Sequence, residues 1–116
     1  MTIRQVIDRL DSIMANTFTN ADKVAWLSAA DSMINTTVFN SSGTEYSDAD
    51  LDTYLLAPAP FDEMYLHYLE AMIHYQNGEN DRYNSAITLF NKFFSDFSAW
   101  HIRNNMPQRK INRFVF

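Results

Sequence analysis

A chain of 116 residues is one domain by length, and a domain of that size buries roughly 65% of the surface its unfolded chain exposes, enough for a core without covalent staples. The chain has no cysteine, which excludes a disulfide framework and thiolate metal or redox chemistry. Its net charge of −5 is unevenly spread, since residues 1–102 hold five basic and fourteen acidic side chains and residues 103–116 carry +4, so the body is expected to repel nucleic acid and only the tail to attract it.

Ile3, Val6, Ile7, Leu10, Ile13 and Met14 follow i, i+3, i+4, i+7 spacing and predict a first amphipathic helix. Thr2 and Gln5 have the separation of a capping box, so this helix starts almost at residue 1. Arg4, Asp8, Arg9 and Asp11 interrupt its apolar pattern, which no secretory leader tolerates. No window approaches the ~18 apolar residues of a membrane span, so a soluble protein is expected. Asn16 to Asn20 break the pattern with turn formers. A second helix follows, capped by Thr19 or Asn20, with Asp22 favoured in its first turn by the macrodipole. Its stripe is Val24, Leu27, Ala30, Ile34 and Val38, with Trp26 beside it as a core or interface anchor. The helix is expected to run to about Phe39, through the weak helix formers Asn35-Thr36-Thr37-Val38.

Residues 40–60 are the least regular stretch and exceed the usual connection length, which points to a functional loop or one ordered by a short turn. Ser47 is placed to cap such a turn through Leu51, with Leu51, Tyr54 and Leu55 packing back on the body. Pro58 and Pro60 stiffen the entry to a third helix, Pro60 fitting its first position.

That third helix, Phe61 to Asn77, is apolar around most of its circumference and is therefore expected at the centre of a bundle or under a neighbouring subunit. Gly78 stops it, because glycine enters the left-handed conformation freely. A fourth helix runs from about Asp81 to Asn104, carrying Tyr83, Ala86, Ile87, Phe90, Phe93, Phe94, Phe97 and Trp100, and Pro107 ends it. The expected fold is thus all-α, with four main helices and a central antiparallel hairpin (about 61–77 and 81–104). Residues 1–107 form the single helical domain, and 108–116 an extended C-terminal arm. Basic or polar residues alternate with apolar ones along the arm, which suits an extended strand, and its apolar end Phe114-Val115-Phe116 suggests docking on something.

No set of residues has the spacing of a catalytic centre. Glu63, His67, Glu70 and His74 line one face of the third helix at i, i+4, i+7 and i+11. Helical di-iron sites need a Glu-x-x-His pair on each of two helices and carboxylates from others, which the other helices do not offer. The ordinary reading is a polar face with helical Glu–His pairs. Asp48, Asp50 and Asp52 alternate like the start of a calcium loop, but the central glycine and the terminal glutamate are missing. With two glycines there is no phosphate-cradling loop, and the serines lack a nucleophile-elbow context. The aromatics follow core spacing in acidic segments rather than interleaving with basic residues, unlike single-strand binders. No enzyme, cofactor or metal is expected.

The segment Tyr65-Leu66-His67-Tyr68-Leu69-Glu70-Ala71-Met72-Ile73-His74-Tyr75-Gln76-Asn77-Gly78-Glu79 continues as Asn80-Asp81-Arg82-Tyr83-Asn84-Ser85-Ala86, then Leu89-Phe90-Asn91 and Asn104-Asn105-Met106-Pro107. Together with Ile3-Arg4-Gln5-Val6-Ile7, Lys23-Val24-Ala25-Trp26-Leu27 and Leu55 to Asp62, it resembles a family of short proteins from the head and neck morphogenesis clusters of siphophages and prophages of Gram-positive bacteria. The resemblance covers nearly the whole chain except the arm from Arg109 to Phe116. It implies a virion structural role, a head–tail connector or adaptor at the portal vertex, present in the host cytoplasm during assembly. It carries no catalytic residues.

The implied partners are other head and neck proteins, the portal or a neighbouring connector, and further copies of the chain, with no membrane and no nucleic acid. The charge split supports head-to-tail contact. Arg109, Lys110, Arg113, Phe114 and Phe116 are the candidate docking residues on the arm, and Asp48, Asp50 and Asp52 those on an acidic loop facing another component. The competing expectation is a small cytoplasmic phage-encoded binding module that modulates a host or phage factor through the same hairpin.

Overall fold

A computed structural model gives the fold; it describes residues 1–105, with every side chain except that of Asp48. The expected arm 108–116, with Arg109, Lys110, Arg113, Phe114 and Phe116, lies outside the described residues. Four α-helices are present among them: α1 (Ile3–Ile13), α2 (Asn20–Thr37), α3 (Glu63–Gln76) and α4 (Asn80–Asn104). The described residues are all-α, as the periodicity predicts.

Local chemistry fixes most of the ends. The Thr2 hydroxyl accepts the Gln5 N–H at 3.2 Å while Gln5 Oε1 accepts the Thr2 N–H at 2.9 Å, a complete capping box that satisfies otherwise orphaned donors of α1. Thr19 caps α2 through the Asp22 N–H at 3.2 Å. α2 stops two residues before Phe39, because Asn40 turns left-handed at φ 54°, a conformation asparagine tolerates better than most residues.

α3 begins at Glu63 rather than at Phe61, and Pro60 precedes it instead of occupying its first position. The N–H groups of Phe61 and Asp62 both turn back onto the Pro58 carbonyl, at 2.9 and 3.1 Å. The Asp62 carboxylate does not cap the helix; it accepts the N-terminal amino group of Met1 at 3.0 Å. At the other end Gly78 has φ 74°, the Gly78 N–H reaches Tyr75 O at 3.2 Å and the Glu79 N–H reaches His74 O at 2.9 Å. That pair of bonds is a Schellman closure, and it folds α4 back along α3.

α3 is the hub: α1, α2 and α4 each pack on it, and α1 also touches α2. Met64, Tyr65, Leu69 and Ala71 are closed to solvent, and Ile73 nearly so, as befits a helix apolar on nearly every face. α1 and α2 therefore cover α3 rather than lying evenly across both arms of the hairpin. Only Ala86, Phe90 and Phe97 of α4 are buried. With 25 residues against 14, α4 is ~37 Å long and α3 ~21 Å. The excess runs past the start of α3, where Phe97 meets Phe39 and Phe61 at ring separations of 6.2 and 5.8 Å and Trp100 meets Phe61 at 5.4 Å.

The long 38–62 connection is sewn to the helices. Ser32 Oγ donates to Thr44 O at 2.7 Å and accepts the Thr44 N–H at 2.9 Å, and Ser28 Oγ accepts the Tyr46 N–H at 2.9 Å. The expected short turn is a single 3-10 turn, Asp48–Asp50, capped by Ser47. Beyond it, Thr2 and Tyr54 form an isolated antiparallel bridge. In extended backbone successive side chains point to opposite faces. Leu55 accordingly enters the core and Tyr54 leaves it 74% exposed, contrary to the expectation that both pack inward.

Candidate functional site

The most deeply buried carboxylate among the described residues is Asp31 in α2, which has no exposure at all. It takes three donors from outside its helix: Tyr46 OH at 2.5 Å, Leu56 N–H at 3.2 Å and Tyr65 OH at 2.5 Å. The Tyr65 oxygen in turn accepts the Ala57 N–H at 2.8 Å. Burial raises the Asp31 pKa, against the opposing pull of these hydrogen bonds. Burial likewise pushes both phenols up, with the adjacent carboxylate adding to the shift, so Tyr46 and Tyr65 stay protonated and remain donors. Among the described residues no lysine or arginine pairs with Asp31. A sealed carboxylate saturated by fixed donors has no route to a substrate; chemically it is a clamp joining α2, the long connection and α3.

The polar face of α3 is divided among partners on other elements. Glu63 Oε1 accepts Arg9 of α1 at 2.6 Å, and His74 Nδ1 lies 2.9 Å from Glu79 Oε1 at the hairpin turn. The hydrogen bond with His74 is the main cause that lowers the Glu79 pKa. The His67 ring stacks on Phe93 of α4, centroids 5.6 Å apart and planes inclined by 17°. Its Nδ1 lies 3.4 Å from Glu70 Oε1 but is not aligned for a hydrogen bond. Glu63, His67, Glu70 and His74 share a face, yet they do not converge on a common point among the described residues.

The acids of the connection serve the fold as well. Asp50 Oδ2 accepts the Ser47 N–H at 2.7 Å and the Ser47 hydroxyl at 3.1 Å, closing the cap of the 3-10 turn. Asp52 Oδ1 accepts Arg4 Nε at 3.0 Å. Asp48 starts the turn, its side chain being outside the described atoms. Asp50 and Asp52 thus each engage a partner inside the chain.

Sequence reasoning missed an open pocket of about 310 Å³ between α3 and α4, beside the hairpin turn. Glu70, His74, Asp81, Arg82 and Ser85 give it a polar rim, and Ala86 and Leu89 an apolar floor. Arg82 NH1 is held 3.5 Å from Glu79, which leaves Glu70, with His67 at 3.4 Å, and Asp81 as the rim acids that no lysine or arginine pairs with among the described residues. The signal lay in the register of the hairpin. Folding the chain at Gly78 puts Glu70 opposite Ala86 and Ile87, while Asp81, Ser85 and Leu89 recur every four residues on the same side of α4.

No helix among the described residues is long and apolar enough to cross a membrane. No family model matches the chain, and neither a curated protein nor a solved structure shows significant similarity to it.

Proposed function

We propose that this chain is a non-enzymatic structural subunit of a phage or prophage particle, a head–tail connector or adaptor acting through protein–protein contacts. Ring and stack adaptors need stiff subunits joined by heterologous contacts, one surface of each copy meeting a different surface of the next. The observation that supports this most directly is the reach of α4. It overshoots α3 by ~16 Å, braces its far end on Phe39 and Phe61, and so holds the end of the helix at Arg103 and Asn104, which the basic segment follows in sequence, away from the hairpin turn. Glu70, Glu79 and Asp81 gather at that opposite end. Opposite charges at opposite ends of one braced rod suit head-to-tail stacking. In this reading the 103–116 arm, led by Phe114 and Phe116, docks on a neighbouring copy or on the portal. Asp50 and Asp52 of the connection are engaged inside the chain, and in this reading the complementary acidic surface is the one at the hairpin end.

Deletion of residues 108–116 tests the proposal. The truncated chain is expected to stay folded and helical but monomeric, and unchanged oligomer size would reject the arm as the assembly element. The particle assignment has its own test, co-purification with mature particles. A virion component stays with the capsid through a density gradient, whereas a cytoplasmic modulator remains in the soluble lysate.

A further inference from the structure

We infer that the pocket between α3 and α4 is the receptor for the basic segment 106–116 of a second copy of this chain. Arg109 and Lys110 would meet Glu70 and Asp81 there. The inference rests on the head-to-tail reading above and names the surface that reading requires.

Three observations lead to it. First, the size: at about 310 Å³ the pocket sits at the lower limit of ligand cavities, room for one or two side chains rather than a cofactor. Second, the chemistry: Glu70 and Asp81 stand on the rim while His74 and Arg82 are both turned to Glu79, and Leu89 is 43% exposed on the floor. An acidic rim over an apolar floor matches a segment in which basic residues flank Ile111. Opposite charges across such a contact set its register and speed its formation.

Third, the reach of the chain decides whose segment arrives. Asn104, the last residue of α4, is nineteen positions from Ser85 on the rim, which on a helix is ~28 Å. Five or six fully extended residues cover at most ~18 to 22 Å, before the reversal needed to run back along α4 is counted. Arg109 and Lys110 of the same chain therefore fall short of the pocket, and those of a neighbouring copy do not face this limit. The contact is heterologous, so each copy offers one pocket and one arm and the series continues until it closes or is capped.

Sedimentation velocity on the full-length chain at two salt concentrations tests this. Three samples are compared: wild type, a pocket variant Glu70→Gln/Asp81→Asn, and an arm variant Arg109→Gln/Lys110→Gln. Wild type is expected to form a concentration-dependent series of oligomers that weakens with salt, and each variant to associate at least tenfold more weakly. Mixed one to one, the variants are expected to give a dimer and nothing larger, because one supplies the only intact arm and the other the only intact pocket. If the pocket variant fails to fold by circular dichroism, Ser85→Arg takes its place, since it fills the groove from an exposed helical position. A wild-type chain that stays monomeric, a pocket variant that assembles normally, or a mixture that does not dimerise would each overturn the inference. Absence of the protein from mature particles would instead count against the particle assignment and leave this contact standing.

Discussion

The Tyr65 phenol in α3 donates to the Asp31 carboxylate in α2 at 2.5 Å, across 34 positions of sequence and with both residues closed to solvent. The same oxygen accepts the Ala57 N–H, so one hydroxyl completes two buried groups at once. Tyr65→Phe leaves the amide unpaired and removes one of three donors from a buried carboxylate. Hydrogen bonds to charged groups are worth ~1.5–3 kcal/mol, and a loss of about that size is expected in urea unfolding. Tyr46→Phe removes a donor from a half-buried position where water can substitute, and a smaller loss is expected. If the two variants lose equal stability, Tyr65 does not occupy the key position assigned to it.

The raised pKa of Asp31 has a consequence for stability against pH. Burial raises it, so the folded state holds this proton more tightly than the unfolded chain. The group's contribution is then fully present below the unfolded carboxylate value of ~3.9 and is lost as pH rises through the shifted folded value. Asp11 runs the other way. Desolvation opposes the shift there, but hydrogen bonds from Lys23 and Asn16 outweigh it and the pKa falls. Its contribution is present above the unfolded value and lost as pH falls through the lowered one. Asp31→Asn cannot ionise, so the stability of wild type relative to this variant is expected to decline as pH rises above the unfolded carboxylate value of ~3.9. Urea midpoints at matched pH values check it, and a difference that stays constant would show that Asp31 keeps an ordinary pKa in the fold.

That clamp also marks where the sequence was hardest to read. Asp31 falls between Leu27 and Ile34 at i+4 and i+7, inside the apolar stripe of α2, so its burial was available from periodicity alone. Its partners were not, because Tyr46, Leu56 and Tyr65 are brought to it by a connection with no period of its own. Local signals travelled well: the Thr2–Gln5 capping box, the Ser47 cap and the Gly78 stop all depend on residues within a few positions of each other. The start of α3 was misplaced for the complementary reason. Asp62 answers to the Met1 amino group, 61 positions away, which no local pattern announces. The pocket needed the hairpin register and two helices at once.

The hairpin turn gives a prediction about conformation alone. Gly78 sits at φ 74° with nothing within 4 Å of the place a Cβ would take. Gly78→Ala therefore meets no clash, and its cost is the left-handed backbone itself, about 1–2 kcal/mol. Asparagine, which already holds the left-handed position at Asn40, is expected to recover part of that loss at 78. Melting temperatures in the order glycine, asparagine, alanine are the expected result. An alanine variant as stable as wild type would mean that the turn does not require the left-handed conformation.

The overhang of α4 depends on aromatic packing at its far end, and Phe97 is its anchor. It is 1% exposed and lies against Phe39, Phe61 and Trp100. Phe97→Ala removes a ring that the ends of α2 and α4 and the entry to α3 share, and the surrounding rings cannot all collapse into the space. A loss of ~3–5 kcal/mol is expected. Leu89→Ala, on the half-open side of the same helix, is expected to change stability by less than about 1 kcal/mol. Hydrogen exchange separates local from global effects, with the amides of residues 98–104 losing protection first in Phe97→Ala. If those amides are no more protected in wild type than in the variant, the last turns of α4 are not braced, and the end of the helix is not held at a fixed distance from the hairpin.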